Sequence, residues 1–170
     1  MTDTLEQAYL SMQERFAAEV KFHGPEKIVY LHRDNYLAAM QALRQEFGFD
    51  RLSDLSAVDY WPKTSPRYNV VIHLHARGNN DRIAVRVPVE AADSNLPTLV
   101  EVYENANWYE REVADLFGIV FLNHPDPRRI IMPQDWQGHP LRRDYPLGYE
   151  QVQFTFNFDK IEAKKIYAKE

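Results

Sequence analysis

Residues 68–89 decide the fold class, and their sequence is YNVVIHLHARGNNDRIAVRVPV. Apolar residues occupy every second position in each half, which is the period of a β-strand that buries one face. The residues between the halves, Gly78 to Asp81, are turn formers. The sequence therefore predicts an antiparallel hairpin with one apolar face and one polar, basic face.

Two helices and two further strands are predicted before this hairpin. Apolar residues spaced by four, three and four positions predict a first helix over about residues 5–18, after a capping box at residues 4–7. The same spacing predicts a second helix that starts at Asp34 as its N-cap and ends at Gly48. The β-rich runs 27–31 and 52–60 predict strands.

The longest predicted helix follows the hairpin, from Asn95 to Phe117, with Pro97 in its first turn and Gly118 as its stop. Its predicted buried stripe comprises Leu99, Val102, Ala106, Tyr109, Val113 and Leu116. The predicted opposite face comprises Glu101, Glu104, Trp108, Arg111 and Asp115. The order of elements predicts an α+β fold, a two-layer sandwich of a mixed or antiparallel sheet with helices on one sheet face.

The composition changes after residue 121. Five of the ten prolines lie between Asn123 and Gly148, which excludes regular helix or inner strand there. Arginine, histidine and aromatic residues in the same stretch are untypical of a disordered linker. We therefore divide the chain into an α+β core domain, residues 1–121, and an extended, Pro-rich, partner-binding tail, residues 122–170. A short helix is predicted over residues 160–170.

Composition excludes several classes of function. The chain has no cysteine, so it cannot form a four-cysteine iron–sulfur or zinc site. Its six glycines do not form a phosphate-binding motif. The net charge of −5 makes nucleic acid an unfavourable partner. No apolar run is long enough to span a membrane, and the polar start argues against a secretion signal.

Two groups of histidines have the chemistry of metal ligands, and in both we favour another role. The first group is His124, Asp126, Asp135, His139 and Asp144, whose spacing lacks the helical pairing of a metal site. A proline follows each of its two histidines, so we expect both to shape a turn or bond a carbonyl. The second group, His73 and His75, lies beside arginines on the polar strand face, and we expect that face to be solvated or covered by a helix.

The charged cluster on the last predicted helix is the third candidate. Glu110, Glu112 and Asp115 could act as acid and base, but the sequence offers no nucleophile or pocket. Glu110 lies nearer the core edge, so we expect an arginine of the tail as its partner. Trp108, a large aromatic residue among charges, is either covered by the tail or anchors another subunit.

The arginines of the tail are assigned to structural ion pairs. Some are expected to pair with Glu110, Glu112 or Asp115 and some with acidic groups of a neighbouring subunit, because guanidinium groups bind carboxylates in a bidentate way. The four residues are Arg128, Arg129, Arg142 and Arg143.

About 36 residues then resemble the signature of the C subunit of the proton-pumping NADH:quinone oxidoreductase, respiratory complex I. The matching segments are Glu110-Arg-Glu112, Asp115-Leu-Phe-Gly118, His124-Pro-Asp126, Arg128-Arg-Ile130 and Gly138-His-Pro-Leu-Arg-Arg-Asp-Tyr-Pro146. The order of predicted elements before them also fits that family's small α+β domain.

The resemblance implies a non-catalytic subunit of the peripheral arm, which supports assembly beside the large quinone-site subunit. NADH, FMN, iron–sulfur clusters and quinone would be bound by other subunits, with no cofactor in this chain and no active site of its own. The location implied is the cytoplasmic face of the cell membrane, reached through the complex. The interface and structural residues assigned are Trp108, Glu110, Arg111, Glu112, Asp115, His124, Asp126, Arg128, Arg129, Trp136, His139, Arg142, Arg143, Asp144 and Tyr145.

Two alternatives remain from the sequence. A homologous subunit of a membrane complex that uses ferredoxin, formate or hydrogen would share this signature. A stand-alone metal-dependent hydrolase would use His124, Asp126 and His139.

Overall fold

The computed structural model describes residues 3–63, 65–146 and 159, and the helix predicted over residues 160–170 lies outside them. The elements are, in chain order, α1 (Asp3–Phe16), β1 (Glu19–His23), β2 (Glu26–Tyr30), α2 (Arg33–Gln45), β3 (Arg51–Asp59), β4 (Tyr68–Ala76), β5 (Asp81–Val89), β6 (Asn95–Pro97), α3 (Ala106–Phe117) and β7 (Val120–Leu122).

Five strands form one mixed sheet in the order β1-β2-β5-β4-β3. The predicted hairpin is confirmed: β4 and β5 pair antiparallel from Tyr68 opposite Val89 to Ala76 opposite Asp81. Strand β2 pairs parallel with β5, and the other neighbours pair antiparallel. The short strands β6 and β7 form a separate parallel pair. The predicted α+β class is therefore confirmed.

The apolar face of the sheet and the inner faces of helices α1, α2 and α3 form one core. Ile72 and Val85 are fully buried there against helix residues such as Met40 and Val113. Among the described residues, the fully buried apolar side chains all lie between Ala8 and Phe121. The alternation seen in the sequence therefore predicts which sheet face is buried.

The opposite face of the hairpin is polar, as predicted. His73 is exposed, and His75 Nε2 lies 2.8 Å from Asn80 Oδ1 in the adjoining turn. His73 thus lies on a solvated face, as we expected, and His75 bonds within its own hairpin.

The prediction of a long helix starting at Asn95 is wrong. Residues 95–97 form strand β6, in which Leu96 pairs with Phe121, and α3 begins only at Ala106. The Asn105 side chain donates to the Leu52 carbonyl oxygen (2.8 Å) instead of capping the helix. Tertiary pairing with β7 overrides the helical spacing here, and α1 with 14 residues is longer than α3 with 12.

Three smaller predictions also need correction. The N-cap of α2 is His32, whose Nδ1 accepts from the Asp34 N–H (3.4 Å), so Asp34 lies inside the first turn. Strand β1 was not predicted because it is a largely exposed edge strand whose Phe22 is 72% exposed. Helix α2 ends at Gln45 with Glu46 as its C-cap, so Gly48, which has φ of +73°, lies in the loop after the helix instead of capping it.

The structure allows a test of the predicted boundary between core and tail. We expect a chain truncated after Phe121 to keep its secondary structure, because the apolar core lies before that residue and only the partly buried Met132 packs on it from the described tail. Circular dichroism of the truncated and full-length chains measures this. An unfolded spectrum for the truncated chain would show that the tail belongs to the core.

Candidate functional site: the surface shared by helix α3 and the tail

The described part of the tail, residues 122–146, contacts α3 in chain order from its first turn to its carboxyl end. It then reaches the end of strand β3. The contacts of the predicted site residues follow this path. The described tail therefore packs on the core as an ordered layer.

His124 makes the first contact. Its Nε2 lies 3.3 Å from the Asn107 carbonyl oxygen in the first turn of α3, and its Nδ1 accepts from the Asp126 N–H (3.0 Å). Because Nδ1 accepts, and because a carbonyl oxygen can only accept, Nε2 is the nitrogen that donates. The expectation that this histidine shapes a turn and bonds a carbonyl is confirmed.

Arg111 makes the second contact, on a helix face that we predicted to be outward. It is only 9% exposed, because its Nε–H donates to the Arg128 carbonyl oxygen (2.9 Å) and Nη2 donates to that of Arg129 (3.4 Å). Its guanidinium also lies 5.2 Å from the centre of the Trp108 ring. The tail therefore covers the charged side of α3, whereas Trp108 stays 58% exposed.

Asp126 and Arg128 form an ion pair within the tail. Arg128 Nε and Nη2 donate to the two carboxylate oxygens at 2.6 and 2.7 Å. The bond from Arg128 is the main reason why the pKa of Asp126 is held at about 2. Arg128 thus pairs inside the tail, and none of the three α3 carboxylates named as candidates is its partner. Because 74% of the Arg128 side chain is exposed, the pair should add little stability.

Asp115 makes the third and most extensive contact. Arg129 Nη1 donates to its Oδ1 (2.6 Å), and the N–H groups of residues Ile130, Ile131 and Met132 all donate to its Oδ2 at 3.1, 2.9 and 2.9 Å. Burial alone would raise the pKa of Asp115, but these donors together lower it below its usual value. One buried carboxylate therefore fixes the backbone of three consecutive tail residues.

Tail residues 139–142 satisfy carbonyl groups at the carboxyl end of α3, which have no partner inside the helix. The Leu141 N–H donates to the Leu116 carbonyl oxygen (3.0 Å), and Arg142 Nε donates to that of Phe117 (2.6 Å). A cation at this end is also favoured by the helix dipole.

His139 completes this cap, because its Nδ1 lies 2.8 Å from the Asp115 carbonyl oxygen and donates to it. Burial lowers the pKa of His139, which favours the neutral ring. The prediction that this histidine bonds a carbonyl is confirmed as well.

Gly118 permits the close approach of the cap. Its φ is +74°, and a Cβ atom there would lie 2.5 Å from Arg142 Nη2 and 2.6 Å from His139 Nε2. The position therefore favours glycine for two reasons: its left-handed backbone conformation, and the lack of space for a Cβ atom.

The last described contact joins the tail to the ends of β3 and β4. Buried Arg67 donates to both Asp59 oxygens (3.0 and 2.8 Å) and to Asp144 Oδ1 (2.7 Å). The Arg143 backbone N–H also donates to Asp59 Oδ2 (2.9 Å). Burial alone would raise the pKa of Asp59, but the Arg67 guanidinium and the backbone donors hold it at about 2.

Sequence reasoning missed Asp59 and Arg67. The available signal was an acidic and a basic residue at the ends of two apolar strands, on either side of the loop that contains Pro62 and Pro66. Nothing in the sequence indicated that Asp144, which is 77 residues after Arg67, would bond to Arg67.

Glu110 does not have the arginine partner that we predicted. It is fully buried, and its oxygens accept from Thr98 Oγ1 (2.5 Å) and from the Leu99 N–H (2.6 Å). Burial raises the pKa of Glu110 to about 7, although both bonds oppose this. Because α3 begins only at Ala106, residues 98–99 are free to lie over Glu110. Their hydroxyl and N–H groups bond to the carboxyl group in place of the predicted tail arginine.

The remaining predicted residues have smaller roles in the described contacts. Glu112 is exposed, and Arg143 contributes its backbone to Asp59 and leaves its side chain exposed. Trp136 and Tyr145 are partly buried, and the Tyr145 ring lies close enough to Gly138 that a Cβ atom there would be 2.9 Å from it.

A cavity of about 220 Å³ lies between α3, β7 and the tail, and Glu110, His124 and His139 are among its lining residues. In residues 3–63 and 65–146, no group of three or more His, Asp or Glu side chains is arranged to hold a metal ion. Most of the bonds described above attach the tail to the core.

Replacing Gly118 with Ala tests the cap. A residue with a Cβ atom costs ~1–2 kcal/mol of stability in the left-handed conformation. We expect Gly118→Ala to cost more than this, because the new Cβ also displaces His139 and Arg142. Urea unfolding measures the loss of stability. Gly48→Ala is the matched control, because Gly48 has nearly the same φ and no atom within 4 Å of a Cβ. Equal losses in the two variants would contradict the proposed contact.

Comparison with known proteins gives the family. The family described as "Respiratory-chain NADH dehydrogenase, 30 Kd subunit" matches residues 29–151. The C subunit of the NADH-quinone oxidoreductase of Roseiflexus sp. is 40% identical over 168 residues, 98% of this chain and 95% of that protein. The corresponding C subunit of Trichlorobacter lovleyi is 45% identical over 150 residues, 86% of this chain and 92% of that protein.

Two solved structures are similar as well. A structure of the trypsin-resistant fragment (1–134) of Nqo5 is 35% identical, with a TM-score of 0.65, and the match covers 72% of this chain and 98% of that one. A chain of the membrane-bound sulfane sulfur reductase, an archaeal respiratory membrane complex, has a TM-score of 0.67. At 18% identity, covering 99% and 95% of the two chains, it shares the fold alone. The chain therefore belongs to the 30 kDa subunit family of respiratory-chain NADH dehydrogenase, whose members include the C subunits of NADH-quinone oxidoreductases.

Proposed function

We propose that this chain is a cofactor-free subunit in the peripheral arm of an NADH:quinone oxidoreductase, where it supports assembly next to the large quinone-site subunit. Electron transfer from NADH to quinone takes place in the whole complex. The observation that carries the proposal is the tail, whose charged residues mostly bond to the core while apolar side chains beside them stay exposed.

The chemistry of the side chains supports the proposed absence of a cofactor. A chain without cysteine has no thiolate ligands for an iron–sulfur cluster, and it has no glycine-rich phosphate loop for NADH or FMN. The titratable residues on the surface shared by α3 and the tail mostly bond to backbone groups or to each other. This chemistry is consistent with our proposal that NADH, FMN, the clusters and quinone are bound by other subunits.

The partner surface that we propose is the side of the molecule formed by α3, β7 and the tail. Large apolar side chains are exposed on all three elements: Trp108 by 58%, Val120 by 56%, Ile131 by 55% and Leu141 by 51%. Burial of an aromatic or aliphatic side chain of this size in an interface is worth about 1.5–3 kcal/mol. Exposed apolar side chains next to an ordered charged layer are typical of a subunit interface.

The division of the chain into a core, residues 1–121, and a partner-binding tail, residues 122–170, is part of the proposal. It is supported by the end of the apolar core at Phe121. It is also supported by the trypsin-resistant fragment in which the solved relative was studied.

We place the subunit on the cytoplasmic face of the cell membrane, where it is held by the complex. No helix in the described part of the chain is both long and apolar enough to cross a membrane. The relatives described above are named for NADH and quinone, which favours this enzyme over one that uses ferredoxin, formate or hydrogen.

Substitution of Trp108 tests this function. We expect Trp108→Ser to leave the isolated subunit folded, since the side chain is largely exposed, and to reduce the amount of intact complex on a native gel. The activity per assembled complex should stay unchanged, because the subunit does not take part in the chemistry.

Phe22→Ser is the matched control, because Phe22 is 72% exposed on the edge strand β1, at the opposite sheet edge from β3, on which α3 packs. This control should assemble normally. Normal assembly of the Trp108 variant with lost turnover would show that this surface acts in the chemistry and would overturn the proposal.

A further inference from the structure

The first contact between tail and core contains two buried titratable groups side by side. Glu110 Oε2 lies 3.8 Å from His124 Nε2, and the two side chains are 0% and 3% exposed. In the described residues, His124 is the only basic group at salt-bridge distance from the Glu110 carboxyl group. Both line the cavity between α3, β7 and the tail.

Other groups around Glu110 do not supply a cation to it. On α3, the Arg111 guanidinium is directed to the tail carbonyls and to Asp126, which lies 3.4 Å from it. The 98–99 segment contributes a hydroxyl and an N–H group, and β7 contributes apolar residues. From α2, Tyr36 faces the site, and its burial and the Glu110 charge both raise the pKa of Tyr36. His139 lies on the cavity wall with its Nδ1 bonded to α3.

Both ring nitrogens of His124 are already used in hydrogen bonds. Nδ1 must accept from the Asp126 N–H, and Nε2–H must donate to the Asn107 carbonyl oxygen. A second proton on Nδ1 would oppose the Asp126 N–H and break the turn that begins the tail. His124 therefore cannot become a counter-ion for Glu110 without loss of that contact.

We propose that the buried Glu110 carboxyl group beside His124 holds an exchangeable proton, and that loss of this proton loosens residues 124–129 from helix α3. With the proton on Glu110, the carboxyl group is neutral and the bonds to Thr98, Leu99, Asn107 and Asp126 all form. Without it, a carboxylate stays buried without a cation, because both ring nitrogens of His124 are used in the bonds to Asn107 and Asp126. This uncompensated buried charge weakens the first attachment of the tail.

The direction of the pH dependence follows from burial. The folded chain raises the pKa of Glu110 to about 7, above the usual value of 4.5 that it regains when exposed. The stabilisation is therefore complete below the usual value and is lost as the pH rises toward 7. Above that pH no further loss comes from Glu110.

Trypsin cleavage of the full-length chain after Arg128 or Arg129 measures this loosening. Each rate is divided by that of an unstructured peptide of the same sequence at the same pH, which removes the pH dependence of the protease. We expect this ratio to rise about tenfold or more between about pH 5.5 and about pH 8.

Glu110→Gln should remove this rise, because the amide keeps the shape of the carboxyl group and cannot titrate. Glu112→Gln, an exposed position on the same helix, is the matched control and should behave as the wild type does. A flat wild-type profile, or a Glu110→Gln profile as steep as the wild type's, would overturn the proposal.

The carbon-13 NMR titration of the Glu110 carboxyl group gives an independent reading in the unmodified protein. A midpoint near neutral pH supports the proposal. A midpoint typical of an exposed glutamate contradicts it, whatever the variants do.

Discussion

The arrangement of the tail depends on the buried carboxylate of Asp115. A buried charge is costly unless several donors surround it, and here Arg129 and three consecutive backbone N–H groups supply them. Those donors can converge only if residues 129–132 curl around one helix position. The same helix end then presents its open carbonyl groups to residues 139–142, so that the charge and the helix terminus together determine the path of the tail.

Local patterns predicted what depends on local forces. The hairpin at residues 68–89, the two first helices and the carbonyl bonds of His124 and His139 follow from periodicity, turn residues and adjacent prolines. The start of α3 could not be predicted in this way, because pairing of Leu96 with Phe121 is a tertiary effect. The Asp59–Arg67–Asp144 cluster joins residues that are far apart in sequence. The partner of Glu110 was predicted wrongly because Thr98, which bonds to it, lies outside the helix.

The fold by itself does not determine the function. A chain from a sulfane sulfur reductase has the same fold at 18% identity, whereas the two NADH-quinone oxidoreductase relatives are 40% and 45% identical to this chain. What distinguishes a structural subunit is the surface: here the charged residues are mostly used inside the chain, and apolar side chains such as Trp108 are left exposed next to them. A tail that is already ordered on its own core loses less conformational freedom when a partner binds.

Hydrogen exchange at the amides of Ile130, Ile131 and Met132 tests the central claim most directly, because these three N–H groups bond to Asp115 and lie in a stretch without regular secondary structure. In the isolated chain we expect them to exchange at least about tenfold more slowly than in an unstructured peptide, and to lose that protection in Asp115→Asn. Exchange of the wild-type amides at the rate of the peptide would show that the carboxylate does not hold the tail, and would contradict the account.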